Sequence, residues 1–217
     1  TLFMLVLARL LTPADFGFFT SIAILFTFLG SMAGLGLNGA IIQFREVDDT
    51  AFSTAFWMVF LCALVLSVTA SLFASALTEL YSDPRIKVLI PSAALSMLLG
   101  VCASFYASLL RRRLCIAALA KRTIVANTVA GAAAVWAAYA GLGVYALVVQ
   151  QLLGSLLSMI LVYRASSWTP SLKFDTAHAC NMLKFGMPLC GADFLTKYNR
   201  ESPKIFVGIF LGVEALG

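Results

Sequence analysis

TAFWMVFLCALVLSVTASLFASAL, running from Thr54 to Leu77, contains no charged residue, no proline and no glycine. At about 1.5 Å per residue, a helix of this length crosses a hydrocarbon core of about 30 Å. Similar runs lie on both sides of it, from about Phe18 to Phe44, Val88 to Leu110, Ile124 to Ala140 and Val144 to Tyr163. A shorter run, Leu2 to Leu11, comes first, and a seventh begins near Met187. Turn chemistry separates them. In Thr12-Pro13-Ala14-Asp15-Phe16-Gly17 the proline is expected to end one helix and Asp or Gly to open the next, and Gly141-Leu142-Gly143 forms a second turn. The expected fold class is all-α, a polytopic transmembrane helix bundle.

Composition points the same way. The chain is 61% hydrophobic and 12% charged, with a mean hydropathy of +0.96, whereas soluble domains run at about 45–50% apolar and about 25% charged. Too little polar surface exists to cover a globule, so lipid must be the solvent. The formal charge of +5 would suggest nucleic acid in a soluble protein, but here it has a topological origin. Loops after runs two, four and six hold Arg45, Arg111, Arg112, Arg113, Lys121, Arg122, Arg164, Lys173 and Lys184, nine basic residues, whereas loops after runs one, three and five hold two, Arg85 and Lys87. Nine against two assigns loops 45–51, 111–123 and 164–184 to the cytoplasm. The Asp15 turn, the loop from Glu79 to Asp83 and the Gly141 turn then face outward. Cys62, Cys102, Cys115, Cys180 and Cys190 show neither paired nor metal-ligand spacing, so free thiols are expected. Thr1 opens inside an apolar run and Gly217 stops just after another, as expected of a piece cut from a longer chain.

The expected organisation is a first bundle over residues 1–163 with its first helix truncated, a cytoplasmic linker over 164–186, and a further helix from 187 to 217. Within the linker, Phe174, Ala177, Cys180 and Leu183 recur at helical spacing, which predicts a short amphipathic helix between Ser171 and Lys184. The seventh run is unusual. Asp193, Lys197, Arg200 and Lys204 fall at i, i+4, i+7 and i+11, within an arc of roughly 60° on one helix face, and Glu201 borders it. A charge at the bilayer centre costs on the order of 2.5–3.5 kcal/mol, so this stripe should face protein or a water-filled cavity rather than lipid. The same residues also fit a solvated loop between two re-entrant segments, Phe185 to Leu195 and Ile205 to Leu211.

Other signals are weaker. Gly34-Leu35-Gly36-Leu37-Asn38-Gly39 has the spacing of a dinucleotide fingerprint, but no strand precedes it, and its glycines better fit close helix packing or a bend. His178 has no second ligand nearby in sequence. Arg111-Arg112-Arg113 reads first as an anchor at the headgroups and second as a site for an anionic lipid. Asn127, Gln150 and Gln151 fit interhelical hydrogen bonds. No catalytic or metal-binding constellation emerges, because the acidic cluster Glu46, Asp48 and Asp49 lacks a partner histidine or a phosphate loop; a non-enzyme is expected.

The decapeptide Ala8-Arg9-Leu10-Leu11-Thr12-Pro13-Ala14-Asp15-Phe16-Gly17 resembles the first-helix ending of Wzx-type polysaccharide flippases, in the multidrug/oligosaccharidyl-lipid/polysaccharide exporter superfamily. Gly34-Leu35-Gly36 with Ile42-Gln43, Ser53-Thr54-Ala55-Phe56-Trp57, Leu109-Leu110-Arg111-Arg112, Gly141 to Leu147, Lys184-Phe185-Gly186 and Gly208 to Gly217 continue the likeness in order. The chain looks closest to the lipopolysaccharide or colanic-acid exporter branch. The resemblance implies two six-helix bundles facing a central cavity, with this chain supplying the first bundle and the start of the second. One departure is Pro203, which stands where related chains commonly carry an acid; the nearest acid is Glu201.

The function so implied is a flippase of the bacterial inner membrane that moves an undecaprenyl-diphosphate-linked oligosaccharide by alternating access, for lipopolysaccharide or exopolysaccharide synthesis. Lys197, Arg200 and Lys204, with Arg9 from the first helix, are the candidate substrate-facing cations. Asp193 and Glu201 are candidates to pair with them or to exchange H⁺ or Na⁺, no other cofactor being expected. Membrane lipids and polysaccharide polymerase machinery are the further partners, and nucleic acid is excluded. The alternatives are a cation-coupled drug exporter, a membrane-embedded transferase and an assembly scaffold.

Overall fold

The computed structural model describes residues 2–43, 49–81 and 84–210. Arg45, Glu46 and Asp48, the end of the outward loop at 82–83, and the glycine-rich motif from 211 to 217 lie outside the described residues. Among the described residues eight helices follow in order: α1 (Leu2–Leu10), α2 (Pro13–Ala33), α3 (Leu37–Gln43), α4 (Asp49–Tyr81), α5 (Ile86–Arg112), α6 (Ile116–Tyr139), α7 (Tyr145–Ser166) and α8 (Thr176–Phe210). No strand occurs among the described residues. The protein is an all-α, multi-pass membrane protein. Among the described residues four helices, α2, α4, α5 and α7, are both long and apolar enough to cross a bilayer.

The first turn works differently from the sequence expectation. Pro13 opens α2 instead of ending α1, and Thr12 caps it: the Asp15 amide donates to Thr12 Oγ1 at 3.3 Å, and that hydroxyl donates to Asp15 Oδ2 at 2.8 Å. Proline suits this position because a first-turn amide has no intrahelical acceptor anyway. On the same side, Arg85 Nη1 reaches Asp15 Oδ1 at 2.8 Å and stacks 5.5 Å from the Phe18 ring, joining the α2 and α5 beginnings.

The run expected from Phe18 to Phe44 is two helices. Leu35 (φ +50°) and Gly36 (φ +66°) take left-handed conformations and break it. The break is held by α8, since a Cβ on Gly36 would sit 2.0 Å from the Gly186 carbonyl oxygen, and one on Gly186 would sit 2.5 Å from that of Leu35. Backbone meets backbone there, which only glycines on both sides permit. The reading of these glycines as close packing and a bend therefore describes the structure.

α5 is the centre of the bundle. It packs against α4, α7 and α2, and it buries Phe105 and Tyr106 completely. Phe56 and Trp168 close around those two rings with centroid separations of 5.5–6.2 Å, in tilted and edge-on geometries favoured by the ring quadrupoles. α6 lies against α7 through the buried stripe Ala126, Ala130, Ala134 and Ala137, at the i, i+4 and i, i+3 spacing of one helix face. α1 also packs on α6, with Phe3 against Gly131 and Leu7 in one apolar cluster with Ala134, Ala137 and Leu147.

The linker also departs from expectation. α7 runs to Ser166 and ends on Ser167 in a left-handed conformation, and α8 starts at Thr176. Residues 167–175 alone are non-helical. The amphipathic segment expected from Ser171 to Lys184 and the helix expected from 187 are one continuous helix, with Pro188 and Pro203 inside it. Residues 197–204 are helical, which removes the loop reading of the charged stretch. The linker is fastened to α4. Trp57 Nε1 donates to the Ser171 carbonyl at 2.8 Å, Ser53 Oγ accepts the Ser171 amide at 3.0 Å, and Thr54 Oγ1 accepts the Asp175 amide at 3.1 Å. Ser53 and Thr54 are fully buried, so these bonds satisfy donors and acceptors that water cannot reach.

Candidate functional site

A cavity of about 640 Å³ opens between α2, α3, α5, α7 and α8, which packs on α2 and α3. Its room comes from small residues: Gly30, Gly34 and Gly39 on the α2–α3 side and Gly100 on α5. The wall is polar for a membrane interior. Thr27, Ser31, Ser96, Ser104, Gln151 and Ser155 all border it. Several hydroxyls on these helices donate back to their own backbone one turn earlier, as Thr27 does to Ala23 and Ser155 to Gln151. That habit keeps a hydroxyl satisfied in an apolar setting while leaving its acceptor lone pairs usable. Asn38 donates to Ser104 Oγ at 3.0 Å, and its Oδ1 is buried without a donor.

Three charged residues line the cavity: Asp193, Lys197 and Arg111. Lys197 Nζ pairs with Asp193 Oδ2 at 2.8 Å across one turn of α8. α8 is steadied there by aromatic contacts to α2, with Phe28 5.2 Å from the Phe194 ring and 6.4 Å from Tyr198. One turn further, the stripe leaves the cavity. Arg200 and Lys204 converge on Glu201, at 3.3 and 2.6 Å, so that the buried carboxylate is held between two cations. The side-chain exposures of 78% for Arg200 and 53% for Lys204, against 7% for Glu201, show which partners keep access to the surroundings. Neither cation borders the cavity. Arg9 sits exposed at the end of α1, whose neighbour is α6, and does not reach it either. Of the sequence candidates, Lys197 and Asp193 share the cavity, Arg200, Glu201 and Lys204 form a separate cluster, and Arg9 stands apart.

Arg111 was hidden in the sequence by its two neighbours. The three arginines at the end of α5 have different occupations. Arg112 Nη1 donates to the Ile41 carbonyl at 2.7 Å and lies 5.6 Å from the Phe52 ring, while Arg113 Nη1 donates to the Ser166 carbonyl at 2.7 Å. These two cap the carbonyl ends of α3 and α7, where a cation also meets the negative end of the helix dipole. Arg111 is left to face the cavity. Helical spacing could have separated the three only if the positions of α3 and α7 were known. His178 lies exposed beside Asp175, 2.7 Å away, at the start of α8. All five cysteines are free thiols, and among the described residues no group of three or more metal-ligating side chains forms.

A family model described as polysaccharide biosynthesis protein matches residues 6–217. Among characterised relatives, the chain is 26% identical over 213 residues to the succinoglycan biosynthesis transport protein ExoT of Rhizobium meliloti (strain 1021), covering 98% of this chain and 43% of that protein. It is 24% identical over 186 residues to the teichuronic acid biosynthesis protein TuaB of Bacillus subtilis (strain 168), covering 84% and 38%. It is 23% identical over 185 residues to the amylovoran biosynthesis protein AmsL of Erwinia amylovora, covering 83% and 47%. The chain thus spans less than half the length of these relatives. No solved structure matches it significantly.

Proposed function

The chain belongs to the polysaccharide biosynthesis protein family, and from that premise we propose that it helps translocate an undecaprenyl-diphosphate-linked oligosaccharide across the bacterial inner membrane. The observation that carries the reading is the polar cavity, with Lys197 and Arg111 on its wall, in a chain similar to a named succinoglycan transport protein. A diphosphate and a large sugar need a hydrated, net-cationic path past the hydrocarbon core, while the prenyl tail stays in lipid. The cavity offers two cations and one acid. A drug exporter for cationic compounds would need the opposite balance.

In this reading the bundle acts with a second one across the cavity, and the two rock to expose it first to the cytoplasm and then outside. A substrate phosphate competes with Asp193 for Lys197, because both are anions seeking the same ammonium group. Once released, Asp193 is the group in the cavity able to take up H⁺ or Na⁺, so substrate and ion binding are linked through one lysine. Ser31, Ser96 and Ser155 supply hydroxyls for the sugar.

The test is direct. Liposomes holding the full-length protein and a fluorescently labelled prenyl-diphosphate sugar should show protein-dependent movement of the label between leaflets. Movement no faster than in empty liposomes would overturn the reading.

A further inference from the structure

Where α5, α6 and α7 meet at the predicted cytoplasmic end, two arginines stand without an acidic partner among the described residues. Arg122 continues by one turn the α6 stripe of Ala126, Ala130 and Ala134 that packs on α7, so its side chain is drawn toward the seam. It is half-buried, and its Nε is fully buried with no hydrogen-bond partner. Burial first, and then the nearby charge of Arg111, lower its pKa from the usual arginine value. Both effects act against the charged form, yet a guanidinium keeps its proton in a protein. Arg111, exposed at the end of the neighbouring helix, lines the cavity, and among the described residues neither arginine forms an ion pair. Arg112 and Arg113, by contrast, are engaged with backbone carbonyls.

Two like charges and a buried donor without an acceptor are unfavourable alone and become favourable when an anion lies between them. We propose that Arg111 and Arg122 form a binding site for the phosphate group of an anionic lipid in the cytoplasmic leaflet. Each guanidinium presents a planar fork that matches two phosphate oxygens. Basic pockets between transmembrane helices at the cytoplasmic face are where such headgroups bind. The site opens toward the polar cavity through Arg111, so the headgroup sits at its threshold. The proposal is independent of transport, since a protein that moves nothing would still bind.

Thermal unfolding of the purified full-length protein in detergent tests it. Phosphatidylglycerol should raise the unfolding temperature and diacylglycerol, which lacks phosphate, should not. Arg111→Gln and Arg122→Gln should each weaken phosphatidylglycerol binding by about tenfold, the scale of one charge-assisted hydrogen bond, while Lys121→Gln, on the exposed face, should leave it unchanged. Without lipid, Arg122→Met should unfold no earlier than the native protein, because it removes an unpaired charge. An equal loss in Lys121→Gln would reduce the effect to general surface charge and overturn the site. So would a lipid-free Arg122→Met that unfolds well below the native protein, which would show that Arg122 is satisfied by the protein itself. Stabilisation by inorganic phosphate without any by phosphatidylglycerol would overturn the lipid as its source. Export by the same variants reads the transport function separately.

Discussion

Lys197 is the residue on which binding and structure meet most directly. Its ammonium lies 2.8 Å from Asp193 with roughly a third of its side chain exposed, so it is paired without being sealed. Lys197→Ala should therefore lower export by the full-length protein without preventing insertion, since a shorter, neutral side chain eases helix burial. Lys197→Arg should retain more activity, because the charge persists while its hydrogen-bond geometry changes. Polysaccharide yield in cells, normalised to protein level, reads both variants; unchanged yield in Lys197→Ala would remove the lysine from the path. At Trp57 the chemistry is structural. Trp57→Phe keeps the aromatic contacts with Phe56 and Phe60 but deletes the donor to the Ser171 carbonyl. The expected cost is about 1–2 kcal/mol, seen as a lower unfolding temperature in detergent. A native-like temperature would show that the linker is not held by this bond.

Among the elements, the α2–α3 break and the long α8 carry the most information. Gly36 has a left-handed backbone and faces the Gly186 carbonyl, so Gly36→Ala combines a penalty of about 1–2 kcal/mol for its φ with a backbone clash. It should destabilise the protein far more than Gly100→Ala, which meets nothing within 4 Å. Comparing their unfolding temperatures checks this, and equal effects would refute the crossing. The apolar runs of α4, α5 and α7 were legible in the sequence because hydrophobic length is a local property. The bend was legible in the glycines from Gly34 to Gly39, but that it ends one helix and starts another was not, since the partner that holds it, Gly186, lies far along the chain. The sequence divides α8 between Lys184 and Met187, because the amphipathic spacing of Phe174, Ala177, Cys180 and Leu183 stops there and a new apolar run begins. In the structure, ion pairs and α2 packing keep the charged stretch that follows helical. The charged stripe was legible as a stripe, but only the fold shows that Asp193 and Lys197 share a cavity while Arg200 and Lys204 turn to Glu201. Cysteines placed singly from 193 to 204 should be labelled with a period near 3.6. Uniform labelling would contradict a helix.

For the whole molecule, the membrane orientation follows from where the basic residues fall, and the helical connections must be consistent with it. An odd number of crossings between them, as by α5, α6 and α7, places Glu79 and Lys173 on opposite sides. Lys173, in the linker docked on the start of α4, belongs to the basic side; Glu79, near the far end of the same α4 helix, belongs to the acidic one. α4 spans residues 49 to 81 without interruption, a rise of about 48 Å at about 1.5 Å per residue, so its two ends cannot share a surface of a bilayer about 40–45 Å thick with its headgroups. Both positions are exposed or near exposed backbone, so each can be probed without disturbing the core. Lys173→Cys, in an otherwise cysteine-free full-length protein, should react with a membrane-impermeant maleimide only after the cells are opened, and Glu79→Cys should react in spheroplasts before that. The reverse pattern would invert the bundle and put Arg111, Arg122 and the mouth of the cavity outside. The cytoplasmic-leaflet site would fall with it, which makes this labelling pair the first experiment to perform.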